Sequence, residues 1–395
     1  MTYDITLFGA TGFTGGLTAE YLSANLPSTA QWAVAGRNAT KLEELVERLK
    51  SAGGNIPSIV LADISRAPSI RAMAENTRVL ISAVGPYLHY GEPVVKAAAE
   101  AGIDYVDLTG EPQFVDEMWL KYHETAVANG ARIVHACGFD SIPYDLGALF
   151  TVRQLPSDQP ISIAGYIRAK ASFSGGTYGS ALNQMNSLGG AQRSAKKRKS
   201  LEKRPVNRKI SGGGKLGAAP SPLPGWGAPL PTIDPQIVLR SARALDCYGP
   251  DFHYEHYAHF YTRRMLVAAV PALAGIAAGS QLAPVRALLG KMRSPGEGPS
   301  EEQRAQSWFE LSLIAESGDK RLLTTVTGGD PGYTETSKML AESAMCLAFD
   351  QLPSTAGQLT TAEAMGVALI TRLQNAGIDF QTRDISTDGS SANTK

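Results

Sequence analysis

Residues 3–15 read YDITLFGATGFTG, and LTAEYLSANL follows at 17–26. The apolar run at 3–8 has the length of a strand. The glycines at 9, 12 and 15 mark a tight turn, and the segment after them repeats apolar residues at helical spacing. In this order the glycines let the backbone approach a pyrophosphate, and the helix N-terminus offers it unpaired N–H groups. Gly9, Thr11, Gly12, Phe13, Thr14 and Gly15 are therefore the candidate pyrophosphate residues. Their spacing is GxxGxxG rather than the commoner GxGxxG.

The alternation continues outward from there. QWAVAG (31–36) reads as a second strand, and the amphipathic run 38–53 as a helix capped by Asn38. SIVLAD (58–63), RVLISAVG (78–85), DYVDLTG (104–110) and ARIVHACG (131–138) supply further strands, with helical segments between them. Strands alternating with helices pair in parallel. The expected fold class is α/β: an N-terminal Rossmann-type, doubly wound parallel sheet over 1–150, then a second α+β domain over 151–385 built on an antiparallel sheet. A flexible tail is expected at 386–395.

The end of the second strand selects the nucleotide. NAD-binding folds usually place Asp or Glu there to hold the ribose diol. This chain has Arg37 and Asn38, with Lys41 one turn on. A guanidinium clamps a 2′-phosphate that a carboxylate would repel, so NADP(H) is the expected cofactor. Asp63, closing the third strand, either meets the adenine or caps the next helix.

The remaining strand ends should converge on the nicotinamide. Val84, Gly85 and Pro86 line the ribose and nicotinamide. Tyr87 is the candidate proton donor or substrate-orienting group. Asp140 is an acid/base candidate, with a helix-cap role preferred for it, and Glu111 is read as charging the start of its helix. His89 reads as an exposed loop residue and Cys137 as a buried strand-end thiol.

Whole-chain properties narrow the classes. In 395 residues, 43% are hydrophobic and 19% charged, which excludes a disordered or fibrous chain. The 37 basic and 37 acidic residues cancel, which argues against whole-chain binding to nucleic acid. Cys137, Cys247 and Cys346 lie far apart without metal-ligand spacing, so no metal site is expected, and the sparse set fits a reducing compartment. MTYDITLF has no signal-peptide pattern, making the cytoplasm the expected location.

Beyond residue 158 the pattern changes. ISIAGYIRAK (161–170), PQIVLRSARAL (235–245) and FHYEHYAHFY (252–261) read as strands of an antiparallel sheet, and 308–316 with 321–329 as a hairpin around Ser317-Gly318-Asp319. The GGTYGS turn presents Tyr178 as a further catalytic candidate, with a plain turn the equal alternative. Residues 193–231 read as a basic, then Pro/Gly-rich, loop. Its charges suit a solvated face or anionic lipid headgroups, and no motif supports nucleic acid. MLVAAVPALAGIAAGSQL (265–282) is too short and interrupted to span a membrane and is read as a buried helix, a homodimer contact or an interfacial anchor, the last implying peripheral membrane contact. Residues 333–350 and 360–377 read as amphipathic core helices.

The motifs GATGFTG, AGRN (35–38), VGPY (84–87), GEPVV (91–95), YVDLTGE (105–111) and CGFDSIPYDLG (137–147) resemble the saccharopine dehydrogenase-like oxidoreductases, and among them the trans-acting enoyl reductase group. PGEGPSEEQR (295–304), GGDPGY (328–333), KMLAESAMCLA (338–348) and LTTAEAMG (359–366) extend the resemblance over almost the whole chain. The resemblance implies a Rossmann domain followed by an α+β domain, NADPH as hydride donor, and reduction of a double bond in a hydrophobic or carrier-bound lipid- or polyketide-derived chain. Relatives named for saccharopine act on an amino-acid imine instead. Neither GxGxxG spacing nor an Arg cluster for a dicarboxylic amino acid is present here. A non-catalytic NADPH-binding or lipid-associated protein is the third reading.

Overall fold

The computed structural model describes residues 2–171, 188–203, 205–268 and 298–389. Tyr178 with its GGTYGS turn, and the 265–282 segment from residue 269 on, lie outside the described residues.

The first sheet is parallel throughout. Strands β1 (Tyr3–Phe8), β2 (Trp32–Gly36), β3 (Ser58–Leu61), β4 (Thr77–Ser82), β5 (Asp104–Asp107) and β6 (Arg132–Val134) stand in the order 6-5-4-1-2-3. Each alternates with a helix: α1 (Phe13–Asn25), α2 (Ala39–Ser51), α3 (Ala67–Glu75), the short α4 (Tyr87–Tyr90) with α5 (Glu92–Ala101), and α6 (Pro112–Asn129). The sequence pattern explains these elements. Ile5 and Leu7 of β1 are fully buried. Leu42, Leu45 and Leu49 put one face of α2 into the core, and the side-chain Oδ1 of Asn38 accepts the Lys41 N–H at 3.0 Å to cap it.

After α7 (Ile142–Val152) the chain builds a second sheet of eight strands: β7 (Ile161–Lys170), β8 (Lys209–Gly212), β9 (Gly217–Ala218), β10 (Trp226–Pro229), β11 (Asp251–Phe260), β12 (Trp308–Ser317), β13 (Lys320–Gly328) and β15 (Asp379–Asp384). β12 and β13 form the expected hairpin, with Ser317 opposite Lys320. The sheet is mixed rather than antiparallel: β11 runs parallel to both β7 and β8. The connection from β7 to β11 is long and carries a helix, which is what a parallel crossover requires.

Three further departures have local causes. Residues 235–245 are not a strand but part of helix α9 (Asp234–Ala244); Ile237, Val238, Ser241 and Ala242 are buried at i, i+1, i+4 and i+5, and the Asp234-Pro235 start suits a first helical turn. The basic run is not all loop. It begins as helix α8 (Leu188–Leu201) against α6, where Arg198 is only 4% exposed. That burial is sustained by Asp116 and Glu202 and by the Trp119 face, 4.7 Å from the guanidinium. The Pro/Gly-rich part supplies β9 and β10. Finally, the chain returns to the first sheet. Helix α11 (Thr334–Phe349), which follows the short α10 (Glu301–Ala305), packs on α1, β4 and β5, and β14 (Gly357–Leu359) pairs in parallel with β6 as a seventh strand. Residues beyond 150 therefore contribute to both sheets. Helices α12 (Thr361–Ala364) and α13 (Gly366–Asn375) then lie against α7, which is buried along nearly its whole length between the two bodies.

Candidate active site

All seven strands of the first sheet end on the same edge, and the order reverses between β1 and β4, where such sheets open a crevice. The glycine turn stands there. Gly9 has φ +88°, and its N–H donates to the Ala35 carbonyl at 2.9 Å. A Cβ on Gly9 would lie 2.7 Å from Val84 Cγ2, and one on Gly15 would run into the Gly9 carbonyl oxygen. These two glycines let β1, the loop after β4 and α1 meet. Gly12 differs: the nearest atom to an added Cβ is the Gly9 carbonyl oxygen at 3.4 Å, and beyond it the space is open. Gly12 is also the N-cap of α1, where no side chain satisfies the first N–H groups. An uncapped helix start under an open cradle fits a pyrophosphate.

Thr11 and Gly12 are exposed, while Phe13 and Thr14 are half-buried. The Phe13 ring meets Tyr333 edge-on at 5.1 Å and lies 5.6 Å from the Arg304 guanidinium. The Thr14 carbonyl accepts from the hydroxyls of Thr18 and Ser337. Arg37, Asn38 and Lys41 are all exposed at the end of β2. The Asn38 side chain is committed to its cap, leaving Arg37 and Lys41 as the cations facing solvent. Asp63 neither caps α3, whose N-cap is Arg66, nor is free: its Oδ1 accepts the N–H and hydroxyl of Ser65. Those bonds, then the charges of Arg37 and Arg66, hold its carboxyl below the usual range. Arg37 thus lies within electrostatic reach of Asp63, beyond the end of β3.

In the loop after β4, Val84 and Pro86 are half-buried and Gly85 is exposed. Tyr87 is placed differently from a free proton donor. It is buried, its hydroxyl donates to the Ser82 carbonyl at 2.9 Å and accepts the Leu108 N–H at 3.2 Å. It ties β4 to the loop after β5. Glu111 does not serve its own helix: its carboxylate accepts the N–H groups of Tyr87 and Leu88, capping α4 from across the cleft. Asp107 anchors the next loop, accepting from Thr109 N–H, Ala136 N–H and the Tyr105 hydroxyl, and lying 2.7 Å from His135 Nδ1. The bond to Ala136 holds that residue at φ 59°, a left-handed conformation uncommon outside glycine. Cys137 is buried, and burial pushes its thiol up, as expected of an inert strand-end residue.

Asp140 does not cap α7. The N-cap is Ser141, and the Asp140 carboxyl lies over Gly110 at the end of the neighbouring loop. Asp140 is exposed, and crowding by protein around its carboxyl raises it. The protein around it includes residues that carried no signal of function in the sequence. Asp234, at the start of α9, is 2% exposed; Asp140 acts on it as a like charge, and burial together with that charge pushes its carboxyl up. His256 Nε2 of β11 lies 3.6 Å from Asp234 Oδ2, and burial lowers its imidazole to about 4. Tyr144 meets the His256 ring edge-on at 4.9 Å, and the Tyr254 hydroxyl is 3.5 Å from His256 Nδ1. Among the described residues, Asp234 Oδ1 and His256 Nε2 have no hydrogen-bond partner, and both are buried. The Asp-Pro helix start of α9 was the one sequence cue to Asp234, and it was absorbed in a strand assignment. Alternation along β11 puts Tyr254 and His256 on one face.

A depression of about 590 Å³ lined by Tyr21, Glu342, Asp350 and Arg372 lies elsewhere. Its charges are spent on one another, with Arg372 bonded to both carboxylates and Tyr21 to Glu342.

Comparison with known proteins bears on this cleft. Residues 5–134 match the saccharopine dehydrogenase NADP-binding domain. A trans-acting enoyl reductase of Mycobacterium bovis BCG is 34% identical over 421 residues, covering 97% of this chain and 98% of that protein. The chain belongs to the trans-acting enoyl reductase group of the saccharopine dehydrogenase-like family. A counterpart from Mycobacterium ulcerans is 33% identical over 413 residues, covering 95% of this chain and 96% of its own. The saccharopine dehydrogenase (L-Glu forming) of Saccharomyces cerevisiae shares the fold, with TM-score 0.58 and 14% identity over 96% of this chain and 99% of that one. This family member is an NADP-dependent oxidoreductase, and the glycine cradle and Arg37 fit that cofactor. No described helix is long and apolar enough to cross a membrane.

Proposed function

We propose that this oxidoreductase reduces the C=C bond of an enoyl group on a lipid- or polyketide-derived chain, presented as a thioester or on a carrier. The observation that carries the reading is the sign of charge at the centre of the cleft. Asp140 lies over the Gly110 loop, and the charge that acts on buried Asp234 is the like charge of Asp140, not that of a lysine or arginine. A dicarboxylic amino-acid imine would meet repulsion at such a centre, whereas an uncharged enoyl thioester meets none. The rings of Phe139, Tyr144 and Phe309 stand in edge contact at 5.8 and 5.0 Å beside it and suit an apolar chain. Full-length likeness to proteins named for trans-acting enoyl reduction supports the same reading.

In this reading NADPH, when bound, supplies the hydride. Gly9, Thr11, Gly12, Phe13, Thr14 and Gly15 hold the pyrophosphate, with N–H groups rather than side chains as the donors. Arg37, supported by Lys41, holds the 2′-phosphate, and Asn38 fixes the helix start beneath them. Asp63 borders the adenine. Val84, Gly85 and Pro86 carry the ribose and nicotinamide, positioned by the Tyr87 clasp. Residues of the second sheet form the substrate side. Contacts with a second copy of the chain or with a membrane surface remain proposals attached to the 265–282 segment.

The test is NADPH oxidation by the purified protein with short enoyl thioesters, enoyl-carrier conjugates and 2-oxo acid/amine pairs as acceptors. Turnover confined to the enoyl substrates supports the reading; turnover confined to the imine-forming pairs overturns it.

A further inference from the structure

We propose that Arg304 is a cofactor-binding residue: carried on the segment GPSEEQR (298–304), it supplies the full positive charge that the glycine turn lacks and contacts the pyrophosphate of NADPH. The inference rests on the placement of the pyrophosphate given above and is independent of the acceptor. The turn offers N–H groups and the positive end of α1, but no side chain among residues 9–16 is charged. Arg48 approaches Gly16, yet it is already paired with Glu20 at 3.1 Å. Arg304 is not committed in this way. Its Nη1 donates to the Pro299 carbonyl at 3.1 Å, and among the described residues its Nε and Nη2 have no acceptor and its guanidinium no ion pair.

Three contacts hold this segment at the turn, and all are made on Phe13, the first residue of α1 and the neighbour of Gly12. The Arg304 guanidinium stands 5.6 Å from the Phe13 ring. Tyr333 meets the same ring edge-on at 5.1 Å. The Gly298 backbone comes so close that an added Cβ would fall 2.2 Å from Phe13 Cε1, so a glycine there is what lets the segment reach the turn. A capping box then fixes the helix that carries Arg304: Gln303 N–H donates to Ser300 Oγ at 3.3 Å, and Ser300 N–H donates to Gln303 Oε1 at 3.1 Å. The Ser307 hydroxyl, bonded to the Gln303 carbonyl at 2.9 Å, secures its far end. A half-buried cation over a phenyl ring gains little from the ring, and its charge stays available to an anion. The planar fork of an arginine suits the oxygens of a phosphate. Since α10 leads directly into β12, the same contact would tie the second sheet to the bound nucleotide.

The experiment measures Kd by calorimetry for NADPH, NADH and adenosine 2′-monophosphate with the wild type, Arg304→Met, Arg304→Lys and Arg37→Ala, and the melting temperature of each protein without ligand. Methionine keeps an apolar stem over Phe13 and removes the charge. NADPH and NADH share the pyrophosphate, so Arg304→Met should weaken both by the same factor, about 10- to 100-fold. Adenosine 2′-monophosphate has the 2′-phosphate and no pyrophosphate, so its Kd should not change, and the ligand-free melting temperature should match wild type. Arg304→Lys should recover part of the loss, because it keeps the charge without the fork. Arg37→Ala should show the converse pattern, losing NADPH and adenosine 2′-monophosphate and sparing NADH. Wild-type affinity for both dinucleotides in Arg304→Met would overturn the assignment. An Arg304→Met protein that loses adenosine 2′-monophosphate in step with the dinucleotides, with a lowered melting temperature, has a packing defect and overturns it too. A wild type that binds adenosine 2′-monophosphate but neither dinucleotide would remove the pyrophosphate cradle and Arg304 together. None of these readings uses an acceptor, so they are separate from the outcome of the enoyl assay.

Discussion

The Ser337 hydroxyl donates to the Thr14 carbonyl at 3.2 Å, joining the first turn of α1 to a residue 323 positions later. With Phe13 against Tyr333 and Phe139 N–H on Thr336 Oγ1, this bond sets Tyr333 and the start of α11 against the glycine turn and the loop after β6. The glycine turn is therefore held from both ends of the chain, and substitutions within it should separate into two kinds.

Gly12→Ala and Gly15→Ala should behave oppositely. Gly12 has an extended backbone (φ −77°, ψ 167°) and open space above it, so an alanine fits the fold but occupies the anion cradle. Its melting temperature should match wild type while NADPH affinity drops at least about ten-fold, which is about 1.4 kcal/mol. Gly15→Ala meets the Gly9 carbonyl and should lower the melting temperature by several degrees before any ligand is added. Calorimetry with and without NADPH separates the two.

Arg37→Ala should discriminate between nucleotides. Loss of a charge-assisted contact worth about 1.5–3 kcal/mol predicts an increase of about 10- to 100-fold in Kd for NADPH. NADH, lacking the 2′-phosphate, should be affected less than about two-fold. Equal weakening of both would show that Arg37 acts on the fold rather than on the phosphate.

Asp116→Ala should be costly to stability. Asp116 is shared by Arg240 and Arg198, both nearly buried, and burial already draws Arg240 down to about 9. Removing the anion leaves two guanidiniums without their shared partner, a loss of about 3–5 kcal/mol. Urea denaturation measures it, and a change below about 1 kcal/mol would contradict the account.

His256 predicts a dependence on pH. Its folded value of about 4 lies below the ordinary 6.5, so the folded state binds fewer protons. Above 6.5 it has no effect; as pH falls from 6.5 toward 4 it withdraws up to about 2 kcal/mol of stability by pH 5. Asp234, raised, acts with the other sign and is lost as pH rises. Between pH 7 and 5, His256→Gln should therefore lose less stability than the wild type, as read from melting temperatures across that range.

The cofactor half was legible because it rests on local physics. A strand that ends in glycine, an Asn cap and an Arg where an acid usually stands all act within a few residues. The second half was not, for equally physical reasons. Residues 235–245 carry apolar positions that suit either period, and only packing on α7 resolves them into a helix. Arg198 looks like one more charge in a basic run until Asp116, 82 positions earlier, is seen to bury it. Asp140 resembled a cap because its sequence neighbours are those of a helix start. Asp234 and His256, which meet at 3.6 Å, come from elements 94 and 116 residues beyond Asp140, a separation no local pattern encodes.

The position of β14 also governs how the molecule is made. A chain emerging from the ribosome N-terminus first can align β1 to β6 early, but the outer edge of β6 stays unpaired until residues 357–359 arrive. Until then β6 presents free N–H and C=O groups to any neighbouring nascent strand. Completion of the nucleotide-binding body is thereby deferred until the long stretch of chain between Val134 and Gly357 has been made, and a truncation before residue 357 should yield an aggregating product rather than a smaller nucleotide-binding protein.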